Sequence, residues 1–234
     1  MKNHIYPEER GKLYIVATPI GNLEDITYRA VRILKEVNIV ASEDTRHSKI
    51  LFNHYNVNTP LVSYYEYNKY KRTPQLIENL LKGKDLALVS DAGTPGISDP
   101  GYFLIKVALE HNIPIIPIPG TSSLIAALSV SGLPTDRFIF EGFLPRKKIK
   151  RRTYLEKLKN EKGTFLFFES PYRILRTLNE ILNLWGDRDA VLAREITKIY
   201  EEFIREKISK IIQKLESRKI RGEITLLVAG KKTE

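Results

Sequence analysis

The 234-residue sequence has no cysteine, one tryptophan, one methionine and only four histidines. Without cysteine there are no disulfides, no thiolate metal ligands and no thiol nucleophile, which fits a chain kept in a reducing compartment. The histidines are scattered and lack the HExxH spacing of a catalytic zinc helix, so no metal site is expected. There is no run of eighteen apolar residues and hence no expected membrane span. The opening stretch, MKNHIYPEERGK, is polar and has no secretory apolar segment. A cytoplasmic protein is therefore expected. Neither GxGxxG nor GxxxxGK[ST] occurs at a strand–helix junction, which disfavours an ordinary dinucleotide or P-loop site.

What the chain does contain is an ordinary apolar fraction of 42% and enough length for one large or two modest cores. Its net charge of +10 is unevenly spread. Residues 1–137 carry 15 Lys+Arg against 14 Asp+Glu, whereas residues 138–234 carry 23 against 14. Positive potential gathered in one half is what a polyanion-binding face requires.

The first half alternates short apolar runs with amphipathic ones: LYIVATPI (13–20), NIVASED (38–44), PLVSYY, LALVS (86–90) and IPIIPIP (113–119) read as strands. Helices are expected over 26–36, 46–54, 73–82, 101–111 and from 121 to Gly132. Continuously apolar strands separated by helices predict an α/β fold with a mainly parallel sheet covered on both faces. The proline opening PLVSYY marks an edge strand. Glycine, proline and charge in GLPTDRF set the domain boundary, giving residues 1–134 and a basic α/β domain, 135–234. There the reading is strand FIFEGFL, basic helix 147–161, strand GTFLFFES, helix 172–185, strand AVLAREI, helix 201–217 and strand GEITLLVAG. Ile204, Ile208, Ile211, Ile212 and Leu215 form the apolar stripe of the 201–217 helix.

Four loops follow the strands of the first half. The longest, SDAGTPGISDPG (90–101), holds three glycines, two prolines and two aspartates. An Asp99 cap with Pro100 at the first helical position accounts for its end but not for Asp91, Gly93, Thr94 and Gly96. Open parallel sheets bind ligands outside the carboxyl ends of their strands, where glycine lets backbone groups approach closely. ATPIGNLEDIT presents Pro19 and Gly21, ASEDTRHS presents Glu43 and Asp44, and IPGTSS leads into Ser122 and Ser123. The serines equally suit N-capping of the helix that follows. In the second half RKKIKRR (146–152) places six cations in seven residues: Arg146, Lys147, Lys148, Lys150, Arg151 and Arg152. Beside the charge asymmetry, this run is expected to contact phosphates.

TPIGNLEDIT, SEDTRH, SDAGTPGISDPG, PGTSS, FFESPYR, AREITK and GEITLLVAG, in this order, closely resemble the ribosomal RNA small subunit methyltransferase I family. The resemblance runs from about residue 12 to 230. It implies the tetrapyrrole-methylase fold, with a mixed second sheet and S-adenosylmethionine in a cleft between two α/β domains. The implied reaction is 2′-O-methylation of a cytidine ribose at the decoding site of 16S rRNA in the small ribosomal subunit, by a homodimer. TPIGN and DAGTPG stand where tetrapyrrole-methylating relatives carry glycine-rich and GGDP-like loops, which favours the rRNA branch. By this likeness Pro19, Ala92, Gly93, Thr94, Ile97, Ser122 and Ser123 lie at the cofactor, with Glu169, Arg194, Ile224 and Thr225 from the second domain. Gly21, Asp91, Ser98 and Asp99 of the same loops are expected to bind the cofactor with them. Asp44 and Glu43 are candidate bases for a ribose hydroxyl, although Asp44 equally suits a helix cap. The alternatives are a tetrapyrrole or protein methyltransferase of the same fold, or a non-catalytic RNA-binding protein.

Overall fold

The structure is a computed structural model and describes residues 10–231. The polar stretch at 1–9 and residues 232–234 lie outside the described residues. The chain divides into two compact units, residues 1–122 and 123–234.

In the first unit β1 (Leu13–Val16), β2 (Ile39–Ser42), β3 (Leu61–Ser63), β4 (Leu86–Val89) and β5 (Ile115–Ile118) form one sheet in the order β3-β2-β4-β1-β5. Every pairing is parallel. The helices are α1 (Tyr28–Glu36), α2 (Thr45–His54), α3 (Lys69–Leu81) and α4 (Gly101–Glu110). Strand periodicity explains why both faces are apolar. Leu13, Ile15, Ala41, Leu86 and Leu88 point to a cluster with Leu76, Ile77, Leu80, Leu104 and Ala108 of α3 and α4. Val16, Val40, Ala87 and Val89 point the other way, to Ile33, Leu34, Leu51 and Phe52 of α1 and α2. The two strands that carry proline next to or within them, β3 after Pro60 and β5 with Pro117, occupy the two edges, where a missing N–H is tolerated.

In the second unit α5 (Ser123–Ser129) is followed by β6 (Phe138–Phe143), α6 (Lys148–Leu158), β7 (Thr164–Glu169), α7 (Ile174–Trp185), β8 (Asp189–Arg194), β9 (Glu202–Lys207), α8 (Ile208–Glu216) and β10 (Ile224–Val228). The sheet order is β6-β7-β10-β8-β9, parallel between β6 and β7 and antiparallel elsewhere. Its core joins Phe165, Phe167, Leu192, Leu226 and Val228 to Leu155, Leu178, Trp185, Ile211 and Leu215 from the three larger helices. The helix α5 packs on β10 and falls in this unit, so the division lies before the glycine–proline stretch on which the sequence boundary was set.

The expected helix 201–217 is a strand followed by a shorter helix. Its first turn is β9, which pairs with β8 and sets Ile204 opposite Leu192. Lys207 is extended (φ −63°, ψ 148°) and ends the strand. Ile208, Ile211, Ile212 and Leu215 keep the helical stripe, while Ile204 reaches the same core from the sheet. One apolar residue among charged ones satisfies both periodicities, and the ladder with β8 decides between them. Among the described residues no helix is long and apolar enough to cross a membrane.

Candidate active site

The strand order fixes where a crevice opens in the first unit. From β1 the chain passes through α1 to β2 on one face of the sheet; from β4 it passes through α4 to β5 on the other. Since β1 and β4 are neighbours, their outgoing connections diverge to opposite faces between them. That is the switch point at which open α/β sheets bind ligands. The TPIGN and DAGTPG loops leave the sheet there.

These two loops are laced together. Thr18 and Gly93 exchange backbone hydrogen bonds, N–H to carbonyl, of 2.9 and 3.0 Å. The Thr18 hydroxyl donates to the Ser90 carbonyl at 3.2 Å. The third loop joins in: the Thr121 hydroxyl donates to the Thr18 carbonyl, and the Thr94 hydroxyl to the Thr121 carbonyl at 3.2 Å. Gly93 sits at φ +82°, in the left-handed region that a β-branched residue adopts only under strain. Ser98 holds φ 65° without being glycine, a local strain of the kind found at binding sites. Thr18 was not among the expected site residues. Its signal was a lone hydroxyl between an apolar strand and Pro19, which is shared with any strand end.

The carboxylates of the rim divide into two kinds. Asp99 is an internal tie: its Oδ1 accepts the N–H groups of Gly96 at 2.7 Å and Gly101 at 2.8 Å. A Cβ at Gly101 would lie 2.9 Å from that same oxygen, so the tight wrap requires glycine there. Burial raises the Asp99 pKa against these N–H donors. Asp44 caps α2, accepting from the Arg46 N–H at 2.8 Å and from its guanidinium at 2.7 and 3.1 Å. These bonds hold the Asp44 carboxyl well below the usual carboxylate range, which makes it a weak base. Asp91 reaches across from β4 to the end of β2, where its Oδ1 accepts the Asp44 N–H at 2.9 Å.

Glu43 is of the second kind. It is half-buried at the end of β2, the strand beside β4. Burial raises its pKa, and the negative fields of Asp91 and Asp99 raise it further, opposed by the Asp91 N–H. A carboxylate raised in this way holds a proton more readily than Asp44 does. Among the described residues no three His, Asp or Glu side chains gather to hold a metal ion.

Around the crevice Pro19 and Gly93 are buried, Gly21, Ala92, Ile97 and Ser98 are exposed, and Asp91, Thr94 and Ser122 are half-buried. Ser123 opens α5 in the second unit.

The remaining expected residues fall in the second unit, where the sheet aligns three of them. Glu169, Ile224 and Arg194 are register partners at one end of β7, β10 and β8, with Thr225 next along β10. Glu169 is 3% exposed. Its oxygens accept the Thr177 hydroxyl at 2.6 Å and the Ser170 N–H at 2.8 Å, with Arg173 3.2 Å away. Its face of the sheet is the one covered by α7, and the bond from Thr177 makes its side chain an anchor for that helix. Arg194 pairs with Glu202 at 3.0 Å.

The basic run also divides. Arg146, Lys147, Lys148, Lys150 and Arg152 are exposed, as a phosphate-contacting surface needs. Arg151 is not: it is 1% exposed. Its guanidinium forks onto Glu180 with two bonds of 2.6 Å and donates to the carbonyls of Pro145 and Arg146. The expectation that it touches RNA is corrected by this burial. A seven-residue run that enters a helix must turn one side chain inward, and Glu180 supplies the charge that makes an arginine tolerable there.

Residues 12–212 match the family of Tetrapyrrole (Corrin/Porphyrin) Methylases. Ribosomal RNA small subunit methyltransferase I of Thermotoga maritima is 50% identical over 221 residues, covering 94% of this chain and 99% of the relative. The protein of the same name from Halalkalibacterium halodurans is 49% identical over 223 residues, covering 95% of this chain and 77% of the relative. Among solved structures, a cobalt precorrin-4 methyltransferase superposes with TM-score 0.70 at 19% identity, covering 93% of this chain and 94% of the other. A diphthine synthase superposes with TM-score 0.71 at 14% identity, covering 96% and 92%. At such identities the structures speak for the fold alone. The sequence matches, which run almost the whole length of the chain, are more specific: this chain belongs to the tetrapyrrole methylase family and, within it, to the ribosomal RNA small subunit methyltransferase I family.

Proposed function

We propose that the protein transfers the methyl group of S-adenosylmethionine to a ribose 2′-hydroxyl of a cytidine in 16S rRNA of the small ribosomal subunit, at the decoding site. The observation that carries this reading is the near-full-length likeness to relatives named for small-subunit rRNA methylation. The switch-point crevice and the basic second unit agree with it. A uroporphyrin-III C-methyltransferase of this fold has been solved with S-adenosyl homocysteine, which supports the choice of cofactor.

The crevice suits such a cofactor by its chemistry. Ile97, 49% exposed, and the exposed Ala92 offer apolar edges to an adenine. The hydroxyls of Thr94 and Ser122 and the Asp91 carboxylate offer polar partners to an amino-acid end. When bound, the cofactor supplies a methyl group on a sulfonium, which leaves as a neutral thioether. The laced loops hold the Thr18–Gly93 backbone rigid, so positioning is set before the acceptor arrives. Glu43 serves as the proton acceptor for the ribose hydroxyl. Its pKa is raised by burial and by the neighbouring carboxylates, which makes it a stronger proton acceptor than Asp44, whose carboxylate is held in the cap.

The test is methylation with labelled cofactor, using free 16S rRNA and purified small subunits, followed by mapping of the modified nucleotide. A label on a cytidine ribose of the decoding site is expected. A label on a base, on protein or nowhere overturns the proposal.

A further inference from the structure

Four loops of the second unit emerge at one end of its sheet. β6, β7 and β8 run in the same direction, so the segments after Phe143, Glu169 and Arg194 share that end. β10 begins there, and so does the basic segment Ser217–Glu223 that precedes it. The basic run 146–150 is therefore one part of a longer rim. Arg146, Lys147, Lys148, Lys150, Lys219 and Arg221 are exposed, and among the described residues none of their side chains has an acidic partner. Three acids of this end are held in ion pairs, Glu202 with Arg194 and Arg218, and Glu195 and Glu223 with Lys198, while Glu201 accepts the Thr197 N–H.

Two tyrosines project from the same rim. Tyr172 is 93% exposed and Tyr200 is 71% exposed. Among the described residues neither ring has a stacking or hydrogen-bond partner. An exposed aromatic is ordinary when its loop is loose, but these loops are not. Arg173, next to Tyr172, donates to the Leu144 carbonyl at 2.7 Å and ties the loop after β7 to the one after β6. The loop that carries Tyr200 holds Glu195 at φ 50° and Thr197 at φ 66°. It is pinned by the Thr197 N–H to Glu201 at 2.7 Å and the Glu223 N–H to Glu195 at 2.9 Å. Two non-glycine residues in the left-handed region are strain that a connecting loop does not need.

We propose that this rim binds single-stranded RNA, with Tyr172 and Tyr200 as platforms on which unpaired bases stack and the unpaired cations as phosphate contacts. The proposal rests on the rRNA-methylation reading and deepens it by naming the form of RNA engaged. Rigid exposed aromatics interleaved with unpaired cations are the composition of a strand-binding groove. A duplex would hide the base faces that the tyrosines need.

The experiment measures binding of an unstructured oligouridine and of the same-length RNA duplex across a salt series, for wild type, Tyr172→Ala, Tyr200→Ala and the corresponding phenylalanine variants. Each alanine variant should bind the single strand roughly 5- to 150-fold more weakly. Its salt slope should be unchanged, its affinity for the duplex nearly so, and phenylalanine should restore binding. Unchanged melting temperatures confirm that the fold is intact, as the exposure of both rings leads one to expect. Wild-type affinity for the single strand in both alanine variants, or equal losses for strand and duplex, overturns the stacking role. So does a change in oligomeric state on ultracentrifugation with RNA binding intact, which would make the tyrosines a protein interface. Failure of the methylation assay would instead strike the enzymatic reading, since strand binding is read without cofactor.

Discussion

Replacing Arg151 tests whether the basic run has one structural member. Its guanidinium is 1% exposed, and Glu180 opposite is 15% exposed. Both fork bonds are 2.6 Å, and a further N–H group serves the carbonyls of Pro145 and Arg146 at 3.3 and 3.2 Å. Truncating the arginine strands the glutamate and two carbonyls in a place water reaches poorly. Breaking a buried pair from one side costs about 3–5 kcal/mol. For a unit of this size each kcal/mol lowers the melting midpoint by about 4 °C, so Arg151→Met should fall by roughly 12–20 °C. Trp185, the single tryptophan, lies in the core of the same unit, and its fluorescence reports this transition. Glu180→Leu should cost a similar amount. The double variant should recover much of the loss, because a buried pair replaced as a whole by apolar groups is often neutral. An unchanged midpoint in Arg151→Met would refute the burial and return Arg151 to the RNA-contacting set. A double variant worse than the sum of the two singles would refute the electrostatic account.

Three other variants test the rim and the run. Glu43→Gln should lower single-turnover methylation by roughly 10²–10⁴-fold while cofactor affinity by calorimetry stays near wild type. The same substitution should stabilise the fold at neutral pH: a folded-state pKa raised above the unfolded value penalises the ionised form, and that penalty disappears as pH falls through the raised value. Melting curves of the two proteins should therefore converge in acid, and a variant that loses stability at pH 7 would contradict the shift. Gly93→Val places a β-branched residue at φ +82° within the Thr18 bridge and should abolish cofactor binding in a protein that still folds; unchanged calorimetric affinity removes this loop from the site. Neutralising Arg146, Lys147 and Lys148 together should reduce the log–log salt slope of RNA binding by about 2, from roughly 0.7 per phosphate on a single strand. Parallel lines would make these side chains a solvated surface only.

Where the sequence could be read and where it could not has a physical pattern. The parallel sheet was legible because LALV, NIVAS and IPII are apolar on both faces, a property fixed by each strand alone. Edge placement of PLVSYY followed from one proline. The loops of the switch point were legible as glycine-rich stretches after strands, since backbone freedom is written in residue type. What residue type does not record is partnership over distance. Glu169, placed at the cofactor by the family likeness, has its side chain enclosed by Thr177 and Arg173, partners that its own stretch of sequence does not announce. Arg151 reads like its five neighbours until Glu180 meets it. Helix 201–217 was misread for the same reason, because the register that made its first turn a strand belongs to β8.

The same contrast bears on how Glu43 and Asp44 came to differ. Adjacent in sequence and alike in charge, they were equivalent candidates for a base. Structure separates them through their hydrogen-bond partners. Asp44 faces the first turn of α2, where N–H groups and Arg46 favour its anion. Glu43 is half-buried beside the end of β4, where burial, and then Asp91 and Asp99, oppose its anion. One carboxylate is thereby held in its charged, capping state, while the anion of the other is disfavoured. Two like residues driven apart by their surroundings is how a site obtains both a rigid scaffold and a base from the same chemistry. Groups of the first unit alone produce that difference, hydrogen bonds from Arg46 at Asp44 and burial beside Asp91 and Asp99 at Glu43, so it should persist in the protein free of cofactor and RNA.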